Sequence, residues 1–149
     1  MLEAARLAAA RREACLREGR SVAFETVFSG PDKVDFVERG LRGGFFVRLF
    51  FVGTDTPTIN AARVAERVLR GGHDVPIRKI VDRWSRSILN CARVARLVDR
   101  LYVYDNSKHG DTAKILLRAA KGTLTRAYGP PRPWMAPLLS ELAAPGSPS

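Results

Sequence analysis

Apolar and polar positions along this chain fall into blocks that switch between helical and extended periods. Residues 2–18 are rich in Ala, Leu, Arg and Glu, hold no Pro or Gly, and stop at Gly19, which predicts a helix. Ser21 to Phe28 (SVAFETVF) is β-branched and aromatic and predicts a buried strand running into a turn at Ser29-Gly30-Pro31. Pro31 to Arg42 reads as a helix closed by Gly43-Gly44. Phe45 to Val52 (FFVRLFFV) is the strongest strand signal. Its near-continuous apolar run is what a parallel strand covered on both faces requires.

Two punctuated helices follow. Thr56-Pro57 supplies a cap and a first-turn proline, and Gly71-Gly72 ends the segment. A second helix opens near Asp74-Val75-Pro76 and runs to about Val98, with Ile80, Trp84, Ile88, Cys91, Ala95 and Val98 as its apolar stripe. Arg100 to Asp105 (RLYVYD) predicts another strand. Ile115 to Ala119 and Thr123 to Ala127, joined through Lys121-Gly122, predict a closing pair. From Gly129 onward Pro130, Pro131, Pro133 and Pro137 break regular structure, and residues 143–149 read as disordered. Strands alternating with helices argue an α/β fold with a mostly parallel sheet and flanking helices. The division is a domain over residues 1–129 and a Pro-rich tail over 130–149.

Length allows one domain with a real core. No apolar run approaches the roughly 20 residues of a membrane helix. The first 20 residues are interrupted by Glu3, Glu13 and Glu18 and lack the apolar core of a signal peptide, so a cytoplasmic location is expected. Cys15 and Cys91 have neither the spacing nor the neighbouring histidines of a zinc site or a disulfide framework, and no metal site is expected.

Charge changes this picture. The net charge is +10, and Arg dominates the basic residues. Arg forks suit phosphate bidentately, although a genome favouring Arg and Ala codons is the better account of the global excess. Position is more informative. Residues 60–100 contain Arg63, Arg67 and Arg70 together on one helical face, and Lys79, Arg83, Arg86, Asn90 and Arg93 as a stripe on the next helix. A helical hairpin with two cationic rows around a Gly-Gly hinge can close over phosphates; a solvated helix face is the competing reading. Glu25, with Thr26 and Ser29 as nearby hydroxyls, belongs at a strand's C-terminal end, where open α/β sheets place their ligand crevice. Structural pairing of Glu25 with an arginine is the alternative. His73 suits a helix cap or a phosphate contact. Asp105-Asn106-Ser107 suits nucleotide contacts or a plain turn. With His73 and His109 as the only histidines and no G-x-S-x-G, serine-hydrolase chemistry is not expected. G-x-x-x-x-G-K-[ST] is also absent, since no glycine here precedes a lysine.

Taken in order, GRSVAFETVFSG (Gly19 to Gly30), FFVRLFFV (Phe45 to Val52), RVAERVLRGGHDVP (Arg63 to Pro76), RWSRSILN (Arg83 to Asn90) and YVYDNS (Tyr102 to Ser107) resemble the zeta toxin family of P-loop kinases, in particular the UDP-N-acetylglucosamine kinase-like branch. The resemblance covers about Ala4 to Gly129. It implies a P-loop kinase-like fold and ATP-dependent transfer of phosphate to a nucleotide-sugar such as UDP-N-acetylglucosamine, with Mg²⁺ as the metal. It implies Glu25, with Thr26 and Ser29 beside it, as acceptor-binding residues. Arg67, Arg83 and Arg86 are implied as lid residues facing the transferred phosphate, and Arg63, His73 and Asn106 as nucleotide contacts. The sequence begins within the helix that follows the P-loop in that family, so the first strand, the P-loop and the base Asp are missing from it. On this basis the chain is expected to be inactive as it stands.

The alternatives are a non-catalytic relative acting as a binding module, with an antitoxin or a second copy as partner, and an unrelated basic protein that binds nucleic acid. The last is disfavoured because Trp84 is the only aromatic interleaved with the basic stripes.

Overall fold

The computed structural model describes residues 2–146. Five α-helices and four strands follow in the order α1 (Leu2–Glu18), α2 (Pro31–Arg42), β1 (Arg48–Gly53), α3 (Pro57–Leu69), α4 (Ile77–Ala95), β2 (Arg100–Asp105), β3 (Lys114–Ala120), β4 (Thr123–Ala127) and α5 (Ala136–Leu139). Pro31 and Pro57 each sit in the first turn of their helix, where the missing N–H costs nothing. The elements expected for residues 2–18, 31–42, 45–52, 100–105 and the closing pair are all present.

The sheet has the order β1-β2-β3-β4. β1 and β2 are parallel over six paired residues, from Arg48↔Arg100 to Gly53↔Asp105. β2–β3 and β3–β4 are antiparallel, each with one register shift. The fold is therefore α/β with an open mixed sheet, not the mostly parallel sheet expected. The reason is local: the short links after β2 and β3 leave no room for the crossover helix that a parallel return needs. β1 and β2 also pair directly, with no gap for a missing central strand.

The core lies on one face of this sheet. Val94, Ala95 and Val98, from α4 and the turn after it, pack with Leu101, Val103, Leu117 and Ala119. Phe51 and Trp134 join them with ring centroids 6.0 Å apart. Gly53 is required there: a Cβ would lie 2.4–2.7 Å from three Trp134 ring atoms. The other face of β1 is open, with Phe50 and Val52 exposed, so the expectation of coverage on both faces fails.

Two further expectations change. Ser21 to Phe28 forms neither helix nor strand, and Val22, Phe24 and Val27 are exposed. Its composition suits a strand, but its end is steered away from the sheet. Phe28 takes a left-handed φ of 61°, and buried Asn90 donates Nδ2–H to the carbonyls of Phe28 (2.9 Å) and Gly30 (3.3 Å). Asn90 thus leaves the cationic stripe to act as an internal clamp. Residues 133–139, expected to lack regular structure, form a 3₁₀ turn (Pro133–Met135) and α5, burying Trp134, Met135 and Leu138 in the core. Ala143 bridges to Thr123, whereas the disorder expected at residues 147–149 falls outside the described residues. Helix α1 buries no residue. It is held to α2 by a bidentate pair in which Arg39 donates to Glu13 at 2.9 and 2.7 Å. No described helix is long and apolar enough to cross a membrane.

Candidate functional site

Parallel strands end together, and the loops that leave them diverge, so a crevice forms beyond their carboxyl ends. Here that crevice is an open cleft of about 730 Å³ beyond β1 and β2. Its floor is built from the residues that follow β1. Thr54 is buried, donates its hydroxyl to Asn60 Oδ1 (2.5 Å), and accepts the Trp84 indole N–H on its carbonyl (3.0 Å). These two bonds tie the start of α3 and the middle of α4 to the same strand end.

Cations line the walls. α3 contributes Arg63 and Arg67, α4 contributes Arg83, and the loop after β2 contributes Lys108. Arg63 donates to the Lys108 carbonyl at 3.4 Å, which joins two walls. Among the described residues none of these three guanidiniums forms an ion pair. The acidic lining is Glu66 and Asp111, and Glu66 lies 4.0 Å from His109 Nε2. Three arginines without carboxylate partners around one cleft leave a positive field that favours a phosphate-bearing ligand.

A second network fixes the rim. The Asp55 N–H donates to Ser107 Oγ (2.9 Å), Ser107 donates to Asp105, and the Arg132 fork grips both Asp55 carboxylate oxygens. Arg132 beside it holds the Asp55 carboxyl below the usual carboxylate range. The Asn106 N–H extends the β1–β2 ladder by donating to the Gly53 carbonyl at 2.8 Å, and its side chain lines the cleft.

Of the residues singled out in the sequence, Thr26, Arg63, Arg67, Arg83 and Asn106 come together here. The other four do not line the cleft. Glu25 is exposed on the unpaired segment, because the strand that was to carry it to a sheet end does not form. Ser29 is half-buried at the turn into α2. Arg86 points away and pairs with Asp82, one helical turn earlier, at 3.1 Å. His73 is exposed in the link between α3 and α4. Sequence reasoning missed Thr54, Asn60 and the Asp55–Arg132 pair. The position of Thr54 just past a strong strand was a usable signal. Nothing local connects Asp55 to Arg132, 77 residues away.

Among the described residues no three His, Cys, Asp or Glu side chains converge, and the cleft offers no glycine-rich loop ending in lysine. Comparison with protein-family models, curated proteins and solved structures finds no match to this chain.

Proposed function

We propose that this cleft binds the phosphate-bearing part of a nucleotide or nucleotide-sugar, with UDP-N-acetylglucosamine as the reference ligand. In this reading the chain forms the acceptor side of a phosphotransferase of the zeta-toxin type with a P-loop kinase-like fold, and acts by itself as a binding module. The observation that carries the reading is the convergence of Arg63, Arg67 and Arg83, none in an ion pair among the described residues, at the carboxyl ends of the parallel strands. Arg67 and Arg83 stand on separate helices and would grip a diphosphate from two sides, while Trp84 and Asn106 offer a flat face and an amide to a base or sugar. No transfer step is assigned to the chain alone, because no residue set here holds the β- and γ-phosphates of a donor.

Titration calorimetry with UDP-N-acetylglucosamine, UDP and free N-acetylglucosamine tests the reading. The first two should bind and the free sugar should not. Arg67→Gln and Arg83→Gln should each weaken binding about tenfold or more, since a charge-assisted hydrogen bond is worth roughly 1.5–3 kcal/mol. Equal binding of the uncharged sugar, or no loss in either variant, would overturn it.

A further inference from the structure

The open face of the sheet carries a second arrangement, independent of the cleft. On β1 and β2 the outward positions alternate with the buried ones: Phe50 and Val52 on one strand, Tyr102 and Tyr104 on the next. The Phe50 and Tyr102 rings stack with centroids 4.7 Å apart and planes within 8°. The column continues across the sheet. The Arg118 guanidinium lies 5.5 Å from the Tyr102 ring and 6.0 Å from that of Tyr128, and Arg126 lies 4.7 Å from Tyr128. Beside it, Arg48 and Arg100 each lie 5.4 Å from the Phe46 ring. Phe46 and Phe50 are 58% and 57% exposed, far more than a sheet face leaves free when it has a protein cover.

Charge selects the occupant. None of Arg48, Arg100, Arg118 and Arg126 is in an ion pair among the described residues. The four strands carry a single carboxylate, Asp105, at the end of β2 and already engaged by Ser107. A second copy docked face to face would set guanidiniums against guanidiniums and bury them without counter-charge. A chain of alternating π-faces and phosphates matches an alternation of rings and guanidiniums.

We propose that the open face of the sheet binds single-stranded nucleic acid, with a base stacking on the exposed Phe50 ring at the end of the Phe50–Tyr102 stack and phosphates held by Arg118 and Arg126. The basic charge alone allows nucleic-acid binding as one reading of the sequence, but it does not point to this face, because its arginines stand on the strands and not in the helical stripes; pairing of β1 with β2, β2 with β3 and β3 with β4 brings rings and guanidiniums together.

The test is fluorescence anisotropy with a labelled 12-nucleotide oligo-uridine at several salt concentrations, alongside a duplex of the same length, heparin and phosphatidylserine vesicles. Wild type should bind the single strand best. Phe50→Leu/Tyr102→Leu keeps apolar bulk but removes the rings, and should weaken binding about tenfold or more while leaving the salt slope unchanged. Arg118→Gln/Arg126→Gln should lower the slope of log K against log salt by about 1.4. In an Arg67→Gln/Arg83→Gln background, which removes the cleft's contribution to phosphate binding, Phe50→Leu/Tyr102→Leu should cause the same fold-loss as in wild type, which separates this face from the cleft. Circular dichroism checks each fold, and exposed Arg126→Gln alone gives a variant that cannot disturb the core. Unchanged affinity in the Leu pair, equal binding of heparin or duplex, or binding of vesicles in place of the strand would each overturn the proposal.

Discussion

Asn90→Ala probes the contact that places the 21–30 segment against the helices. In wild type the Asn90 amide donates to the Phe28 carbonyl at 2.9 Å in a buried setting and to the Gly30 carbonyl at 3.3 Å in a partly buried one. Alanine removes both donors. Water can reach the Gly30 carbonyl, so that loss is small, about 0.5 kcal/mol. The Phe28 carbonyl is left buried without a partner, which costs about 1–3 kcal/mol. Phe28 also sits at φ 61°, a conformation costing an L-residue roughly 1–2 kcal/mol, and the segment can relax from it once released. The expected net loss is about 2 kcal/mol, a large share of the 5–15 kcal/mol typical of a domain. Urea unfolding reads it as a lower midpoint at unchanged slope. Asn90→Asp should cost more at neutral pH, since a carboxylate would face two carbonyls. Its folded pKa would be raised, so the penalty should shrink as pH falls toward the unfolded value, where the protonated acid can donate. An Asn90→Ala stability within 0.5 kcal/mol of wild type would refute the clamp.

Gly53→Ala drives a Cβ into the buried Trp134 ring and should destabilise by about 1–3 kcal/mol; Trp134→Leu in the same chain should recover part of that loss in a double-mutant cycle. For Asp55, the depressed folded pKa means that its contribution is present above the ordinary carboxylate value and is lost as pH falls through the folded one. Asp55→Asn should therefore be less stable than wild type at pH 7, with the difference closing below about pH 4 in thermal melts. A constant difference across that range would show that Arg132 is not gripping an ionised carboxylate.

Helix starts were legible because Pro31 and Pro57 mark them chemically, and β1 and β2 because Phe, Leu, Val and Tyr dominate them. Ser21 to Phe28 has the same composition but no strand. Composition reports fitness for a ladder, while the ladder itself depends on a neighbour and on Asn90, 62 residues from Phe28. The Pro-rich stretch after Gly129 misled in the opposite sense: proline at first-turn positions starts short helices as well as ending long ones, and Trp134 supplies the area that anchors this one. Of the cleft, the arginine rows on α3 and α4 were visible as helical stripes. Which members line the cleft was not, because Arg86 has Asp82 one turn away and Arg83 does not. The open face was invisible for a different reason, since strand pairing sets it and no local period encodes pairing.

The indole N–H resonances of the chain's two tryptophans give the most direct test of the cleft. Trp84 lines it and donates to the Thr54 carbonyl, while Trp134 lies beneath Gly53 in the core. In ¹⁵N–¹H spectra recorded during titration with UDP-N-acetylglucosamine, the Trp84 signal should shift saturably and that of Trp134 should stay in place, with Arg67→Gln/Arg83→Gln abolishing the shift. A Trp84 signal that does not move at millimolar ligand, or that moves equally in the double variant, would contradict a phosphate-binding cleft at this site.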